Sequence, residues 1–416
     1  MIPEVFRMLF YSLNGRSPED SPTTRADFDI KPLKSPKKEK FLKQELIELI
    51  EESVFNELSK KEEVWLSLSA GYDATSIMGA CLAKGLRPKC FSYGKTDPPP
   101  HSDVFVARKM AEMAGLHHEI WPMDKYPVQE VQLANARMFD QRANRCGELG
   151  AWLYFQKEIA PKLSEEPLFV FGDECFGWSN CRLRNTADVL LAIGIQPDAS
   201  QIEHLISQNK YMEFKAWYKE RTETIFAKAA HLESLHDKKD YLYFHERLQM
   251  VIKPWRKNYA GRYGQFCAPL ISREILSFVG ALPLPLRLGK KLMRAATQER
   301  YADLFKIKRA RTTGAPPLSQ TCSWPPQTSI ENIKSVADKF SIREQVIDLF
   351  NHTPQAALAA SPQKQKFGGL KNLLKGSLFM GFYQISRSFI PPIFNISREL
   401  ILSRIQIWLL RELLKT

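Results

Sequence analysis

The feature that most constrains the fold is a regular alternation of short apolar runs and helix-like stretches in the first third of the chain. Strand-like and helix-like segments follow one another at residues 64–68, 74–84, 89–93, 104–114 and 118–122. Strands joined through helices at such short spacings form parallel sheets with helices packed on them. The sequence therefore predicts an α/β fold with a doubly wound parallel sheet, whose ligands bind beyond the carboxyl ends of the strands.

The rest of the chain predicts how this sheet is extended. A helix is expected at 36–59, before the first strand, and the apolar run 168–171 is expected to be a later strand of the same sheet. Four parts result: a loose arm at 1–35, a nucleotide-binding α/β domain at 36–200, a helical part of that domain at 201–317, and a linker with a basic amphipathic helical region at 318–416.

Composition restricts the setting in which the chain works. Its 416 residues are 44% hydrophobic, and 59 basic against 46 acidic side chains give a net charge of +13. Such a charge favours anionic partners such as nucleotides, nucleic acid or membrane surfaces. The seven cysteines include no C-x-x-C pair, so we expect neither a zinc site nor a disulfide framework, which suits the cytoplasm. No run of 18 uncharged apolar residues and no secretory signal is present.

The turn after the first predicted strand is the strongest candidate for a functional site. Small and hydroxyl residues lead from strand into helix in the order Leu66-Ser67-Leu68-Ser69-Ala70-Gly71-Tyr72-Asp73-Ala74-Thr75. Such a turn can direct backbone N–H groups and hydroxyls at a phosphate. Asp73 would repel that phosphate unless a cation, most simply Mg²⁺, lay between them. An ordinary helix start with Asp and Thr in its first turn is the alternative.

This turn resembles the S-G-G-x-D-S pyrophosphate loop of the N-type ATP pyrophosphatases, and most closely that of the asparagine synthase family. Four positions match, and Ala70 and Ala74 replace a usual glycine and serine; the matching residues are Ser69, Gly71, Asp73 and Thr75. The stretch Phe171-Gly172-Asp173-Glu174-Cys175-Phe176-Gly177-Trp178 resembles the family's second signature, G-x-D-E-x-F-G-G-Y. The resemblance extends from about residue 36 to about 317 and implies a fold of the adenine-nucleotide alpha-hydrolase type.

The resemblance also implies roles for individual residues. ATP would contact a set formed by Ser69, Ala70, Gly71, Asp73, Thr75, Ser92 and Gly172. Asp73 and Asp173 would share Mg²⁺, and Glu174 would hold the loop or shape the acceptor pocket. Catalytic cations would come from the basic stretch that contains Lys306, Lys308, Arg309 and Arg311, because the family places a basic loop over the phosphates. A solvated basic turn is the alternative for each of them.

The family's chemistry is activation of a carboxylate by ATP to an acyl adenylate, release of pyrophosphate, and attack by an amine. Complete asparagine synthases carry an N-terminal glutaminase domain with a cysteine after the initiator methionine, whereas Ile2 stands at that place here. We therefore expect a synthase part without a glutaminase domain. Free ammonia, ammonia from a separate supplying or carrier protein, and an amine on a small-molecule or peptide substrate remain open as nitrogen sources.

Two other functional classes compete with the ligase. A degenerate relative could keep the fold as a binding or scaffold protein, since Ala70 and Ala74 alter the loop. A tRNA-modifying enzyme would use the positive charge, but no RNA-binding module or catalytic cysteine pair is found, so a nucleic-acid partner is not expected.

Three further segments allow both a functional and a structural interpretation. His117-His118 could bind a metal or be structural, and the stretch 256–263 could bind an anion or be helix surface. The C-terminal tail could touch a membrane peripherally, or it could pack on its own domain or a partner.

Overall fold

The protein was analysed as a computed structural model, in which residues 2–19, 28–32, 38–138, 149–163, 166–177, 182–307, 330–343 and 398–414 are described. The centre of the molecule is a five-stranded sheet in the order β3-β2-β1-β4-β5, with every neighbouring pair parallel. Its strands are β1 (Val64–Ser67), β2 (Lys89–Gly94), β3 (His118–Pro122), β4 (Leu168–Val170) and β5 (Gln265–Cys267). The predicted fold class, an α/β parallel sheet, is confirmed.

Helices cover both faces of the sheet. Successive residues of a strand point to opposite sides, so each strand contributes side chains to the core on either face. On one face, Leu66 and Val170 join a large core built from many of the helices. On the other, Trp65, Phe91 and Phe169 join a smaller aromatic core, in which Phe91 stacks on Trp121 at 3.9 Å between ring centroids. Strands buried on both sides are continuously apolar, which is why their run of hydrophobic residues is readable in the sequence.

The helices occupy most of the remaining described chain. Up to the fourth strand they are α1 (Glu4–Asn14), α2 (Glu39–Leu58), α3 (Tyr72–Ala83), α4 (Asp103–Met113), α5 (Val128–Met138) and α6 (Leu149–Tyr154). After it come α7 (Thr186–Ala192), α8 (Gln208–Ala227), α9 (Leu235–Leu242), α10 (Lys253–Asn258), α11 (Arg273–Ala281), α12 (Leu284–Arg287), α13 (Lys291–Arg300), α14 (Ile330–Lys339) and α15 (Arg398–Leu413). Longer π-helical turns at Phe155–Ile159 and Tyr243–Ile252 follow α6 and α9.

The N-terminal stretch differs from the loose arm expected at 1–35. Helix α1 is buried along most of its length, and the Arg16 side chain that follows it is only 1% exposed and ion-paired to Glu246. The reason is local amphipathicity: α1 carries apolar side chains at helical spacing, which the flanking Pro- and Ser-rich residues obscured. This segment belongs to the main core.

Strand β5 and helix α15 lie in parts of the chain for which the sequence predicted less. Strand β5 lies within the part expected to be helical, where it pairs with β4 and extends the sheet by one strand. Helix α15 buries Ile401, Ile405 and Trp408 and contacts α1, α5 and α14. In the described part of the chain, no helix has the length and apolar character needed to cross a membrane. The expected linkers around 318–329 and 361–369 lie outside the described residues.

Candidate active site

The turn between β1 and α3 leads directly from the end of the strand into the helix. Gly71 is the residue before the first helical turn, with φ −71° and ψ 154°. The Ser69 Oγ accepts a hydrogen bond from the Gly71 N–H at 3.2 Å, and the Thr75 hydroxyl donates to the Gly71 carbonyl at 2.7 Å. Thr75 is fully buried, so its hydroxyl shapes the turn, whereas the Ser69 hydroxyl accepts a bond from Gly71 and retains the capacity to donate one.

The loops after β1 and β4 touch each other, as the parallel order of these strands requires. A Cβ atom added to Gly172 would lie 3.2 Å from the Ala74 amide nitrogen and 3.3 Å from the Asp73 Cβ. Glycine at 172 therefore lets the two loops approach closely, and this approach brings Asp73 beside Glu174. Ala70 and Ala74 are both buried, so the two loop substitutions face protein at these positions.

The centre of the site is a lysine that the sequence did not indicate. The Lys290 Nζ donates to both oxygens of Asp73, at 2.9 and 2.7 Å, and lies 2.9 Å from Glu174 Oε1. Glu174 also accepts the Phe176 N–H at 2.5 Å. We call Asp73, Glu174 and Lys290 the site triad. The side chain of Asp73 is 25% exposed, whereas those of Lys290 and Glu174 are 9% and 3% exposed.

Backbone strain marks the lysine as specifically placed. Lys290 has φ 60° and ψ 36°, a left-handed conformation that is costly for a residue with a Cβ, and it follows Gly289 with φ 61°. Such strain persists only where surrounding contacts hold it, and here the two carboxylates supply those contacts. The turn between α12 and α13 thus brings the Lys290 ammonium group to the loop, where the two carboxylates bind it.

Burial and charge act in opposite directions on the triad. Burial opposes the charged form of Lys290, but Glu174 and Asp73 outweigh it, and the pKa of Lys290 lies above its ordinary value. Burial, together with the Asp73 carboxylate, raises the pKa of Glu174 despite the opposing effect of Lys290. Lys290 is thus a permanent cation that can stabilise negative charge developing beside it.

Asp173, the second predicted metal ligand, has a cation of its own. Arg256 of α10 binds it with two hydrogen bonds, Nε to Oδ2 at 3.1 Å and a terminal nitrogen to Oδ1 at 2.8 Å. The Arg256 guanidinium carbon lies 3.7 Å from the Phe171 ring centroid, which fixes the plane of the group. In the stretch 256–263, which was considered for binding an anionic substrate, Arg256 therefore pairs with a carboxylate of the chain itself.

The Mg²⁺ site expected at Asp73 and Asp173 stays a prediction. Each carboxylate oxygen of Asp73 and Asp173 has two lone pairs, so a bond to Lys290 or Arg256 leaves one for a metal. Within the described residues, no group of three or more His, Cys, Asp or Glu side chains is placed to hold an ion. Mg²⁺ bound here would complete its shell with phosphate oxygens and water, as it commonly does in nucleotide sites.

Ser92 supports the loop from the neighbouring strand. It is buried, its hydroxyl donates to the Leu68 carbonyl at 2.6 Å, and it lies 2.8 Å from His118 Nε2. Burial lowers the pKa of His118 to about 4, so this imidazole is neutral at physiological pH. Since the Ser92 proton goes to Leu68, His118 Nε2 donates to Ser92. Both residues therefore hold the carbonyl that precedes Ser69.

The basic stretch after α13 is only partly described. Lys306 is exposed and ion-paired to Asp303 at 2.5 Å, and this contact raises the pKa of Lys306. It has no contact with the site triad among the described residues. Lys308, Arg309 and Arg311 lie outside the described residues, so the expected roles of these three cations stay predictions.

Comparisons with known proteins add little to this geometry. No protein-family model matches the chain, and no curated protein matches its sequence. Among solved structures, the NMN synthetase from Francisella tularensis is similar over 52% of this chain and 97% of its own, with 14% sequence identity and a TM-score of 0.27. A TM-score this low supports no functional conclusion, so the chemistry must be argued from the residues of the site.

Sequence reasoning identified the acidic half of the site and missed the basic half. Asp73 and Glu174 follow strands and are predicted to converge from the order of the sheet. Lys290 is 217 residues after Asp73, in a turn between α12 and α13 whose one local signal is Gly289. Arg256 appears in the sequence as one basic residue of a helix-compatible stretch, and no local pattern links it to Asp173.

Proposed function

We propose that this chain is an ATP-dependent ligase that forms amide bonds, with the site triad at its centre. The observation that carries the proposal is the placement of the Lys290 ammonium between Asp73 and Glu174, beside the N-terminus of α3. A helix N-terminus, a hydroxyl at Ser69 and a fixed cation form a binding site for phosphate groups. The amide-forming reaction itself is inferred from the resemblance to the asparagine synthase family.

The proposed reaction has two bond-forming steps. A carboxylate oxygen of the substrate attacks the α-phosphorus of ATP, the bond to the β-phosphate breaks, and pyrophosphate leaves. Ammonia or a substrate amine then attacks the acyl carbon, AMP leaves with the electron pair of the broken C–O bond, and the nitrogen loses a proton. Both steps move negative charge onto phosphate oxygens, which a buried cation stabilises more strongly than water does.

The residues of the chain would divide this work between binding and charge stabilisation. Ser69 and the first N–H groups of α3 would bind phosphate oxygens, and Lys290 would stabilise the charge of the reacting phosphate. Asp73 and Asp173 would hold Mg²⁺, which supplies charge neutralisation for the departing pyrophosphate. Lys306, Lys308 and Arg311 are candidates for neutralising pyrophosphate from the other side. The carboxylate substrate and amine donor, or a protein that supplies ammonia, are the proposed partners.

One observation favours a second function, that of a binding or scaffold protein. The Thr75 hydroxyl, expected to contact phosphate, is buried and bonded to Gly71, and the two aspartates already have cations of the chain beside them. In a protein that had lost ATP chemistry, these carboxylates would serve only to form ion pairs with the cations beside them. Failure to release pyrophosphate with any carboxylate, in a chain that still binds ligands, would favour this function.

The test of the ligase proposal is a pyrophosphate-release assay with Mg²⁺-ATP across a panel of amino acids, peptides and sugar acids. We expect release that depends on one class of carboxylate and falls by about a hundredfold or more in Asp73→Asn. Asp338→Asn is the matched control, because Asp338 is exposed on α14 and its substitution changes charge equally. Equal release by wild type and Asp73→Asn would overturn the proposed site.

A further inference from the structure

The charges at the proposed site do not by themselves attract a nucleotide. Three carboxylates, those of Asp73, Asp173 and Glu174, are in contact with two cations, Lys290 and Arg256. The groups in contact therefore carry no net positive charge, and a polyphosphate is attracted by positive charge. A site for ATP in this place needs another cation that no carboxylate already engages.

Arg294 is such a cation. It lies in the first turn of α13, four residues after Lys290, which directly precedes that helix. Its guanidinium carbon is 5.2 Å from the ring centroid of Tyr72, the first residue of α3. Among the described residues, no carboxylate forms an ion pair with Arg294, and its buried Nε has no hydrogen-bond partner. The side chain is only partly buried, so the rest of its guanidinium group is accessible to a ligand.

The Tyr72 ring gives this arginine a defined position. A guanidinium lying over an aromatic face keeps its edge N–H groups available, because the ring uses the face of the cation and leaves the donors. Tyr72 is itself packed against Phe305, at 5.1 Å between ring centroids, and this contact helps to fix the ring. The donors of Arg294 are thus preorganised beside the loop that precedes α3.

We infer that Arg294 binds a phosphate group of the polyphosphate, an inference that rests on the proposed nucleotide site. Its planar fork matches two phosphate oxygens, which a lysine cannot match. Lys290, held by two carboxylates, would act on the reacting phosphate, whereas Arg294 is available to hold the pyrophosphate part. The start of α13 would thus supply a strained, neutralised cation at Lys290, just before the helix, and a second cation at Arg294, which has no ion pair among the described residues.

The test is calorimetric titration of inorganic pyrophosphate, Mg²⁺-ATP and adenosine into wild type and Arg294→Gln. We expect about a tenfold to hundredfold loss of affinity for pyrophosphate and ATP in the variant, and none for adenosine. Arg294→Lys keeps the charge without the fork and should lose less. Lys291→Gln, an equal change of charge at an exposed position of α13, should bind all three ligands as wild type does.

The outcomes separate this inference from the proposed function. If wild type binds ATP and Arg294→Gln binds it equally well, the role of Arg294 is overturned while the nucleotide site stands. A parallel loss of adenosine affinity would show general distortion and would also overturn the role. Arg294-dependent binding of pyrophosphate without ATP binding would support the anion site and contradict the ligase proposal. A wild-type chain that binds neither pyrophosphate nor Mg²⁺-ATP would overturn both the role of Arg294 and the ligase proposal.

Discussion

Two buried ion-pair networks of this protein have similar components but opposite construction. In the helical region, Arg16 and Glu246 pair with each side chain 1% exposed, and Lys228 adds a second cation at 2.6 Å. In the site triad, one lysine serves two carboxylates, its backbone is strained, and Asp73 remains 25% exposed. The first network has an excess of cations, and its central pair of Arg16 and Glu246 is sealed from solvent, as a structural anchor requires. The second has an excess of carboxylates and stays accessible to a ligand.

The sealed network should have the largest effect on stability. Arg16→Met leaves the buried Glu246 with one partially exposed partner, and loss of one member of a buried pair costs about 3–5 kcal/mol. We expect that decrease in the unfolding free energy from urea titration. Lys109→Met removes an exposed pair with Glu112 and should cost less than about 1 kcal/mol. A similar small cost for Arg16→Met would contradict the assignment of the network as an anchor.

A smaller difference between the two networks lies in how the unfolding free energy depends on pH. Although burial raises the pKa of Glu246, Arg16 and Lys228 outweigh it and lower that pKa, whereas the pKa of Glu174 is raised by burial and by Asp73. The stabilisation from Glu246 is therefore present above the ordinary pKa of glutamate and is lost as the pH falls through its folded value. That from Glu174 is present below the ordinary pKa and is lost as the pH rises through its folded value.

Two variants isolate these contributions. The unfolding free energies of wild type, Glu246→Gln and Glu174→Gln are compared between about pH 3 and pH 7, a range that extends below the ordinary pKa of glutamate, and each unit of pKa difference corresponds to about 1.4 kcal/mol. The difference between wild type and Glu246→Gln should grow with rising pH, and the difference between wild type and Glu174→Gln should shrink. Slopes of the same sign would show that the two glutamates are in equivalent environments.

The contrast between the networks also shows what the sequence can predict. The first three strands and their helices are predicted within about three residues, because burial on both faces leaves an apolar pattern in each segment. Strand β5 has three residues without periodicity and depends on pairing with β4, so no local pattern reveals it. Glycine and acidic residues at the ends of β1 and β4 likewise predict that the loops after these strands form the site. Lys290 and Arg256 reach the site only through the packing of distant helices.

The most direct test of the central claim is calorimetric titration of Mg²⁺-ATP into wild type, Asp73→Ala and Lys290→Asn. Asparagine tolerates the left-handed conformation at residue 290, so that variant removes the ammonium group without adding backbone strain. We predict saturable binding to wild type, no detectable binding to Asp73→Ala, and binding weakened at least about tenfold in Lys290→Asn. A folded wild-type chain that binds no Mg²⁺-ATP, or that binds it equally after both substitutions, would contradict the account.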